Sequence, residues 1–484
     1  MMIKKIKFDY EPKTKPFSHQ TEAIDYVKRN NIVALFDEQG LGKTKILIDA
    51  LSWNIRNKDI DKALIICKKH LIKTWYNEIL KHSHLFPVII TGTKNFRGKS
   101  FLAIGQFYIV NYEVIIQDLD LIKLILKNRK FAIVLDEAQK IKNPLSKTAK
   151  AIFSIKGLGV KRVIMTGTPD ANRPDDIWAQ YYFLDNGKLF GTNFNTFKEK
   201  YNLKLKGIKS LEIYEDTLSK IREKINRNSI RRTKDILELP EKIYRDVRIE
   251  LSDRQREIYN TAKDKLYYEI KNENGGKLIK NIDNYLVKLL RLVQIASNPQ
   301  LIIDDYNEIP SKFICLDKLI DEIIKRGEKV IIWSSFRRNI RLLRNRYKRY
   351  GSLMIFGDIT IKDRDSAVEK FMNDEEFKIL VANPSAAKEG LTLTSANNAI
   401  YLDRNFKMDD YLQSQDRIHR IGQEKKCSVI KIIANDTIDE YIDEILEKKE
   451  IIAKYIVGDT SKMISTSDYL SKKRLIEILG GNNE

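Results

Sequence analysis

The sequence predicts an α/β protein of two domains, each built on a parallel sheet covered by helices on both faces. Three observations carry this expectation. Short, nearly all-apolar β-branched runs alternate with helical stretches. A strand that is apolar at every position is buried on both faces, which is the habit of parallel sheets. The runs come in two series separated by a segment of different periodicity, so two sheets are expected rather than one. The 484 residues also exceed one domain of roughly 100–200 residues.

The first series is Asn31–Phe36, Ala63–Cys67, Phe107–Val110, Phe131–Leu135 and Arg162–Met165. The second is Lys329–Trp333, Leu353–Phe356, Lys378–Ala382, Ala399–Leu402 and Ser428–Ile433. Between them, from Thr217 to Asn298, the period is helical with charged faces, over Leu251–Lys271 and Leu278–Ile295. Asn272-Glu273-Asn274-Gly275-Gly276 marks an exposed turn. The expected map is a first lobe over 1–216, a helical insertion and linker over 217–310, a second lobe over 311–458 and a polar tail over 459–484.

Lys and Arg number 87 against 66 Asp and Glu, a net charge of +21. Such an excess points to a polyanion, nucleic acid before an anionic membrane surface, with plain solubility as the alternative. No run of about 18 apolar residues occurs, so no membrane span is expected. The basic start has no apolar core of the kind a secretory signal needs. The three cysteines, Cys67, Cys315 and Cys427, are widely spaced. That spacing argues against a disulfide scaffold or a thiolate zinc site and for a reducing compartment.

The chemistry is concentrated after the first strand. Asn31–Phe36 runs into Asp37-Glu38-Gln39-Gly40-Leu41-Gly42-Lys43-Thr44 and then a helix. Gly40 and Gly42 let backbone N–H groups close around phosphate oxygens, and the helix N-terminus adds its positive end. Lys43 is placed to reach β- and γ-phosphates and Thr44 to ligate Mg²⁺, which makes ATP with Mg²⁺ the expected ligand. One position departs from the usual phosphate-loop pattern: Asp37 stands where a glycine is usual. The strand Phe131–Leu135 then delivers Asp136 and Glu137. Asp136 suits Mg²⁺, and Glu137 suits the orientation and deprotonation of a water. Taken alone this pair also reads as an acidic helix start.

These segments resemble known motifs. Residues 37–44, Asp136-Glu137-Ala138-Gln139 and Thr166-Gly167-Thr168-Pro169 look like motifs I, II and III of superfamily 2 helicases, and more narrowly of the Snf2 family of DNA-dependent ATPases. Gln413-Ser414-Gln415-Asp416-Arg417-Ile418-His419-Arg420-Ile421-Gly422-Gln423 is similar to the family's motif VI, and Arg231-Arg232-Thr233-Lys234 to another of its signals. So are Phe17-Ser18-His19-Gln20, Thr74-Trp75-Tyr76-Asn77-Glu78 and Ile438-Asp439-Glu440. The likeness covers Pro16 to Gly458, with departures at Gln39, Gln139, Asp170-Ala171-Asn172, Glu389 and Phe406-Lys407-Met408.

The resemblance implies two RecA-like lobes. It places Gln20, Gly390 and Gln413 at the nucleotide, Thr166 and Thr168 in coupling, and Arg417 and Arg420 as arginine fingers. Positions 413, 417 and 420 are spaced to share one helix face, with His419 off it in a packing role. Nucleic-acid contacts are expected from Lys68, Lys69, Arg231, Arg232 and the arginine-rich stretch Phe336–Tyr350, with Arg337, Arg338 and Arg341 foremost. That stretch also reads as a solvated helix face. The implied function is a monomeric motor of prokaryotic or viral type. It would hydrolyse ATP on double-stranded DNA, track the duplex without sequence preference and remodel protein–DNA or branched DNA. Its expected place is the cytoplasm of a prokaryote or of a virus-infected host. The alternatives are a strand-separating DNA or RNA helicase, and a degenerate ATPase serving as a nucleic-acid-binding scaffold.

Overall fold

A computed structural model of the chain describes residues 10–167, 175–201, 211–271, 282–386, 391–457, 459–460 and 479. They fall into two compact units, one within 1–236 and 451–465, the other within 237–450 and 466–484.

The first unit holds seven strands: β1 (Ile32–Leu35), β2 (Lys62–Cys67), β3 (Pro87–Ile90), β4 (Phe107–Asn111), β5 (Phe131–Asp136), β6 (Lys161–Met165) and β7 (Ser229–Ile230). Their order is β3-β4-β2-β5-β6-β1-β7, with every pairing parallel. Alternate residues feed two cores. Leu64, Ile66, Ile133, Leu135 and Ile164 pack on one face. Ala63, Ile65, Ala132, Val134 and Val163 pack on the other. The continuous apolar runs are therefore the signature of a sheet buried on both sides, as the sequence predicts.

The second unit holds β8 (Lys242–Ile249), β9 (Val330–Trp333), β10 (Ser352–Ile355), β11 (Ile379–Ala382), β12 (Asn398–Tyr401) and β13 (Cys427–Ala434). The order is β10-β11-β9-β12-β13-β8, again all parallel. Val330 and Ile332 face one core and Ile331 and Trp333 the other. Among the described residues no helix is long and apolar enough to cross a membrane.

The middle of the chain differs from the expectation of a separate helical segment. Helices Leu211–Asn226, Asp253–Lys271 and Ile282–Ser297 are present, but β7 and β8 lie among them. Residues 217–236 go with the first unit and 237–310 with the second. β8 pairs with β13 from Lys242↔Cys427 to Ile249↔Ala434 at the sheet edge. Its sequence, with Lys242, Arg245, Asp246 and Arg248, has no apolar run because an edge strand leaves much of its surface in water. The expected turn 272–276 lies outside the described residues.

Candidate active site

The carboxyl ends of three adjacent strands, β1, β6 and β5, lie level. Met165 is in register with Leu35 on one side and Asp136 on the other. Two strand spacings, about 10 Å, therefore separate the loop after β1 from the acids at the end of β5. Carboxyl ends of parallel strands are where such sheets bind ligands.

The loop after β1 needs its glycines. Gly40 and Gly42 have φ of +93° and +80°, a region open to glycine without steric cost. A Cβ on Gly42 would also fall 2.2 Å from Nε2 of Gln20. Helix Lys43–Arg56 starts directly after Gly42, so its first N–H groups, with Thr44 in the opening turn, face the loop without intrahelical partners. The Lys43 ammonium curls back and donates to the carbonyls of Asp37 (2.8 Å) and Glu38 (3.1 Å). Burial pushes its pKa down, against the opposing pull of Asp37, Glu137 and Asp136.

Gln20 lies beneath this loop. It is buried, donates from Nε2 to the Leu41 carbonyl (3.2 Å) and accepts at Oε1 from the Phe17 N–H (3.0 Å). Thr166 is buried and its N–H donates to the Leu35 carbonyl at 3.2 Å. Gly167 lies against the loop: a Cβ there would meet Gln39 Cγ at 2.8 Å and Lys43 Nζ at 3.6 Å. Thr168 and Gly390 lie outside the described residues.

At the end of β5, the Asp136 carboxylate accepts a hydrogen bond from Trp75 Nε1 at 2.8 Å, and its backbone carbonyl one from the Tyr112 hydroxyl at 2.8 Å. Burial, and then the neighbouring Glu137, push the Asp136 carboxyl up to about 6. Glu137 has φ +53° and ψ +55°, a left-handed conformation that costs a non-glycine residue roughly 1–2 kcal/mol. Such strain persists only where the surrounding structure over-determines it. The Gln139 amide donates to its carboxylate, and Lys68 Nζ lies 4.0 Å away. Lys68, expected on nucleic acid, is therefore a neighbour of Glu137, whereas Lys69 is exposed. The sequence reading assigned Trp75 no role and missed Tyr112. The available signal for Tyr112 was its position one residue past the carboxyl end of β4.

Arg231 and Arg232 correct a second expectation. Arg232 grips the buried Asp37 carboxylate with two donors and also donates to the His19 carbonyl. Arg231 pairs bidentately with Asp459 and donates to the Phe36 and Gly167 carbonyls. Both guanidiniums are occupied inside the unit rather than turned to nucleic-acid phosphates. The same contact explains why Asp37 replaces the usual glycine: its carboxylate is the counter-ion of Arg232.

Mg²⁺ normally takes one or two carboxylates and completes its shell with phosphate and water oxygens. Asp136 and the Thr44 hydroxyl fit that habit. No cluster of three or more metal-binding side chains occurs among the described residues, so the nucleotide's own phosphates would have to supply the rest.

In the second unit the predicted helix face is replaced by a turn. Helix Met408–Gln415 ends before Arg417. The chain then folds through short bonds, Arg417 N–H to Ser414 and Gln423 N–H to Arg420 (3.0 Å). Gln423 secures it by donating to the carbonyls of Thr394, Ala396 and Ile418, and Ile418 is sunk in the core. The two arginines still meet: Arg417 and Arg420 both donate to the Leu391 carbonyl (3.3 and 3.1 Å), and Arg420 also to Thr392 Oγ1 (3.0 Å). Gln413 is buried, with neither side-chain polar atom hydrogen-bonded. His419 packs as expected, its Nε2 2.8 Å from the Pro240 carbonyl. Arg337 and Arg338 pair with Asp358 (2.5 Å) and Asp304 (2.9 Å) at half-exposed positions, while Arg341 lies 5.1 Å over the Phe356 ring. Exposed pairs of this kind contribute little to stability.

A family model described as the SNF2-related domain matches residues 19–301, and one described as the helicase conserved C-terminal domain matches 311–422. An uncharacterized ATP-dependent helicase of Mycoplasma genitalium is 31% identical over 447 residues, covering 90% of this chain and 41% of that protein. The DNA repair and recombination protein RAD54 of Saccharomyces cerevisiae is 27% identical over 501 residues, covering 89% of this chain and 54% of that protein. The chain thus spans about half or less of the length of these relatives. Among solved structures, the SWI2/SNF2 ATPase core of Sulfolobus solfataricus in complex with dsDNA is 28% identical, with a TM-score of 0.45 and coverage of 93% of this chain and 95% of that one.

Proposed function

The chain belongs to the SNF2-related family, and from that premise we propose that it is a DNA-dependent ATPase that tracks along double-stranded DNA and remodels protein–DNA or branched DNA. The observation that carries the reading is the level placement of the Lys43 loop and the Asp136–Glu137 pair at the carboxyl ends of β1 and β5, with Lys43 close enough to feel both acids.

The loop N–H groups and the start of helix Lys43–Arg56 cradle the ATP phosphates. Lys43 leaves the Asp37 and Glu38 carbonyls for the β- and γ-phosphate oxygens. Thr44 and Asp136 would hold Mg²⁺, which would neutralise charge on those oxygens. Glu137 accepts a proton from the attacking water, its carboxylate aimed by the left-handed backbone and the Gln139 amide. Arg417 and Arg420 serve as fingers that stabilise charge on the transferred phosphoryl, a contribution of about 10³–10⁵ in rate in phosphoryl transfer. The +21 charge, Lys69 and the exposed Arg337 and Arg338 support binding to backbone phosphates, which gives affinity without sequence preference.

The test is ATP turnover in four conditions: no nucleic acid, double-stranded DNA, single-stranded DNA and RNA. The largest stimulation is expected with the duplex. Equal rates in all four conditions would refute a DNA-dependent ATPase, and stimulation by RNA alone would refute the choice of substrate.

A further inference from the structure

We propose that Asp459 is a positioning residue of the ATP site, acting through Arg231 as a bolt across the carboxyl ends of β1 and β6. The role deepens the ATPase reading above and rests on it.

One nitrogen of Arg231, Nη1, donates to two carbonyls, Phe36 at the exit of β1 and Gly167 just after β6. Phe36 precedes Asp37, whose carbonyl holds the Lys43 ammonium. Gly167 packs on Gln39 and lies close to Lys43 Nζ. A single guanidinium therefore spaces the phosphate loop from the turn beside it. Its other edge holds Asp459 bidentately, Nε to Oδ1 at 3.1 Å and Nη2 to Oδ2 at 2.6 Å. Both side chains are nearly buried, at 14% and 10% exposure, so the pair is little screened by water.

The alternative partner is close. Glu38, inside the phosphate loop, lies 3.6 Å from Nη2 of Arg231. Without Asp459 the guanidinium turns toward Glu38, and the fork can no longer face both carbonyls from a fixed position. Asp459 follows helix Ile438–Val457, whose Ile452 and Ile456 are sunk in the first unit's core, so its backbone is anchored independently of the loop. A planar, five-donor group suits this bridging, and an ammonium cannot reproduce it.

The experiment compares wild type with Asp459→Ala, Asp459→Glu, Arg231→Ala and the double alanine variant, each in the full chain. Amide hydrogen exchange over residues 36–42 and 165–167 is expected to quicken several-fold in Asp459→Ala, with β2 unchanged. Asp459→Glu, which keeps a carboxylate within reach of the fork, should stay near wild type. Duplex-stimulated kcat should fall about tenfold in Asp459→Ala while the KM for ATP moves less than about threefold. The double variant should be no worse than Arg231→Ala alone, because the two residues act as one unit. Unchanged exchange at the loop, equal quickening in β2, or additive losses would each overturn the bolt. Lys43→Ala serves as the separate control. If wild-type turnover does not exceed that of Lys43→Ala, the ATPase reading fails, and the exchange data still decide the role of Asp459.

Discussion

Replacing Asp37 by Asn removes one charge from a pair that water barely reaches. The Asp37 carboxylate is fully buried, and the side chain of Arg232 is 10% exposed. Breaking such a pair from one side leaves the partner's charge buried without compensation, at a cost of about 3–5 kcal/mol. Asn preserves the volume and can still accept one hydrogen bond, and Arg232 keeps the His19 carbonyl. The expected loss is therefore at the lower end, about 3 kcal/mol. For a unit of this size that corresponds to a fall in Tm of roughly 6–12 °C. Asp37→Gly, which restores the usual phosphate-loop residue, should be no less destabilised, because it also deletes the counter-ion. The assay is urea and thermal unfolding of wild type, Asp37→Asn, Arg232→Met and the double variant, read as a double-mutant cycle. A loss in Asp37→Asn below about 0.5 kcal/mol, the scatter of neutral surface changes, would refute the reasoning. So would additive effects in the cycle, since a shared ion pair must show coupling.

Glu137→Gln should bind ATP like wild type yet stall hydrolysis, because the amide fits the same space but takes no proton; nucleotide titration beside single-turnover chemistry checks this, and lost binding would make Glu137 structural. Arg420→Ala should lower duplex-stimulated kcat by about 10²–10⁴ with DNA and ATP binding intact, and Arg420→Lys should not rescue it, as paired binding and turnover assays would reveal. Burial pushes the Lys161 ammonium down to about 8, with Asp59 opposing, whereas an unfolded lysine titrates near 10.5. The unfolded chain thus holds this proton more tightly. The penalty is fully present below about pH 8 and is relieved as pH rises toward 10.5, by up to about 3 kcal/mol. Lys161→Met should remove that rise, which unfolding free energies at pH 7.5 and 10 for both proteins would measure; equal pH slopes would count against it.

The central strands were legible because each is apolar on both faces, and their ends fall within a residue of those expected. The glycine loop and the Asp136–Glu137 step were legible because each is a run of consecutive residues at a strand end, so its pattern is written locally. Strands β7 and β8 were not, since β7 is two residues long and β8, largely exposed at a sheet edge, has no apolar run; β3, Pro87–Ile90, is apolar but too short to stand out. The spacing of Gln413, Arg417 and Arg420 predicts one helix face, whereas the helix ends at Gln415 and a turn brings Arg417 and Arg420 together on the Leu391 carbonyl. Gln423, reaching back to Thr394 and Ala396, bends the chain at a range that periodicity does not sense.

The sequence by itself determined the two parallel sheets, the order of their central strands along the chain, and the glycine loop and strand-end acids as local patterns. All of these follow from local pattern: burial on two faces, glycine at positive φ, an acid at a strand end. Tertiary structure alone decided what the arginines do. Arg231 and Arg232 look alike in sequence, adjacent and basic, yet one holds Asp459, which lies 228 residues away, and the other holds Asp37, 195 residues away. A guanidinium is committed by whichever carboxylate is buried beside it, and the desolvation that makes that choice binding exists only once the chain has folded.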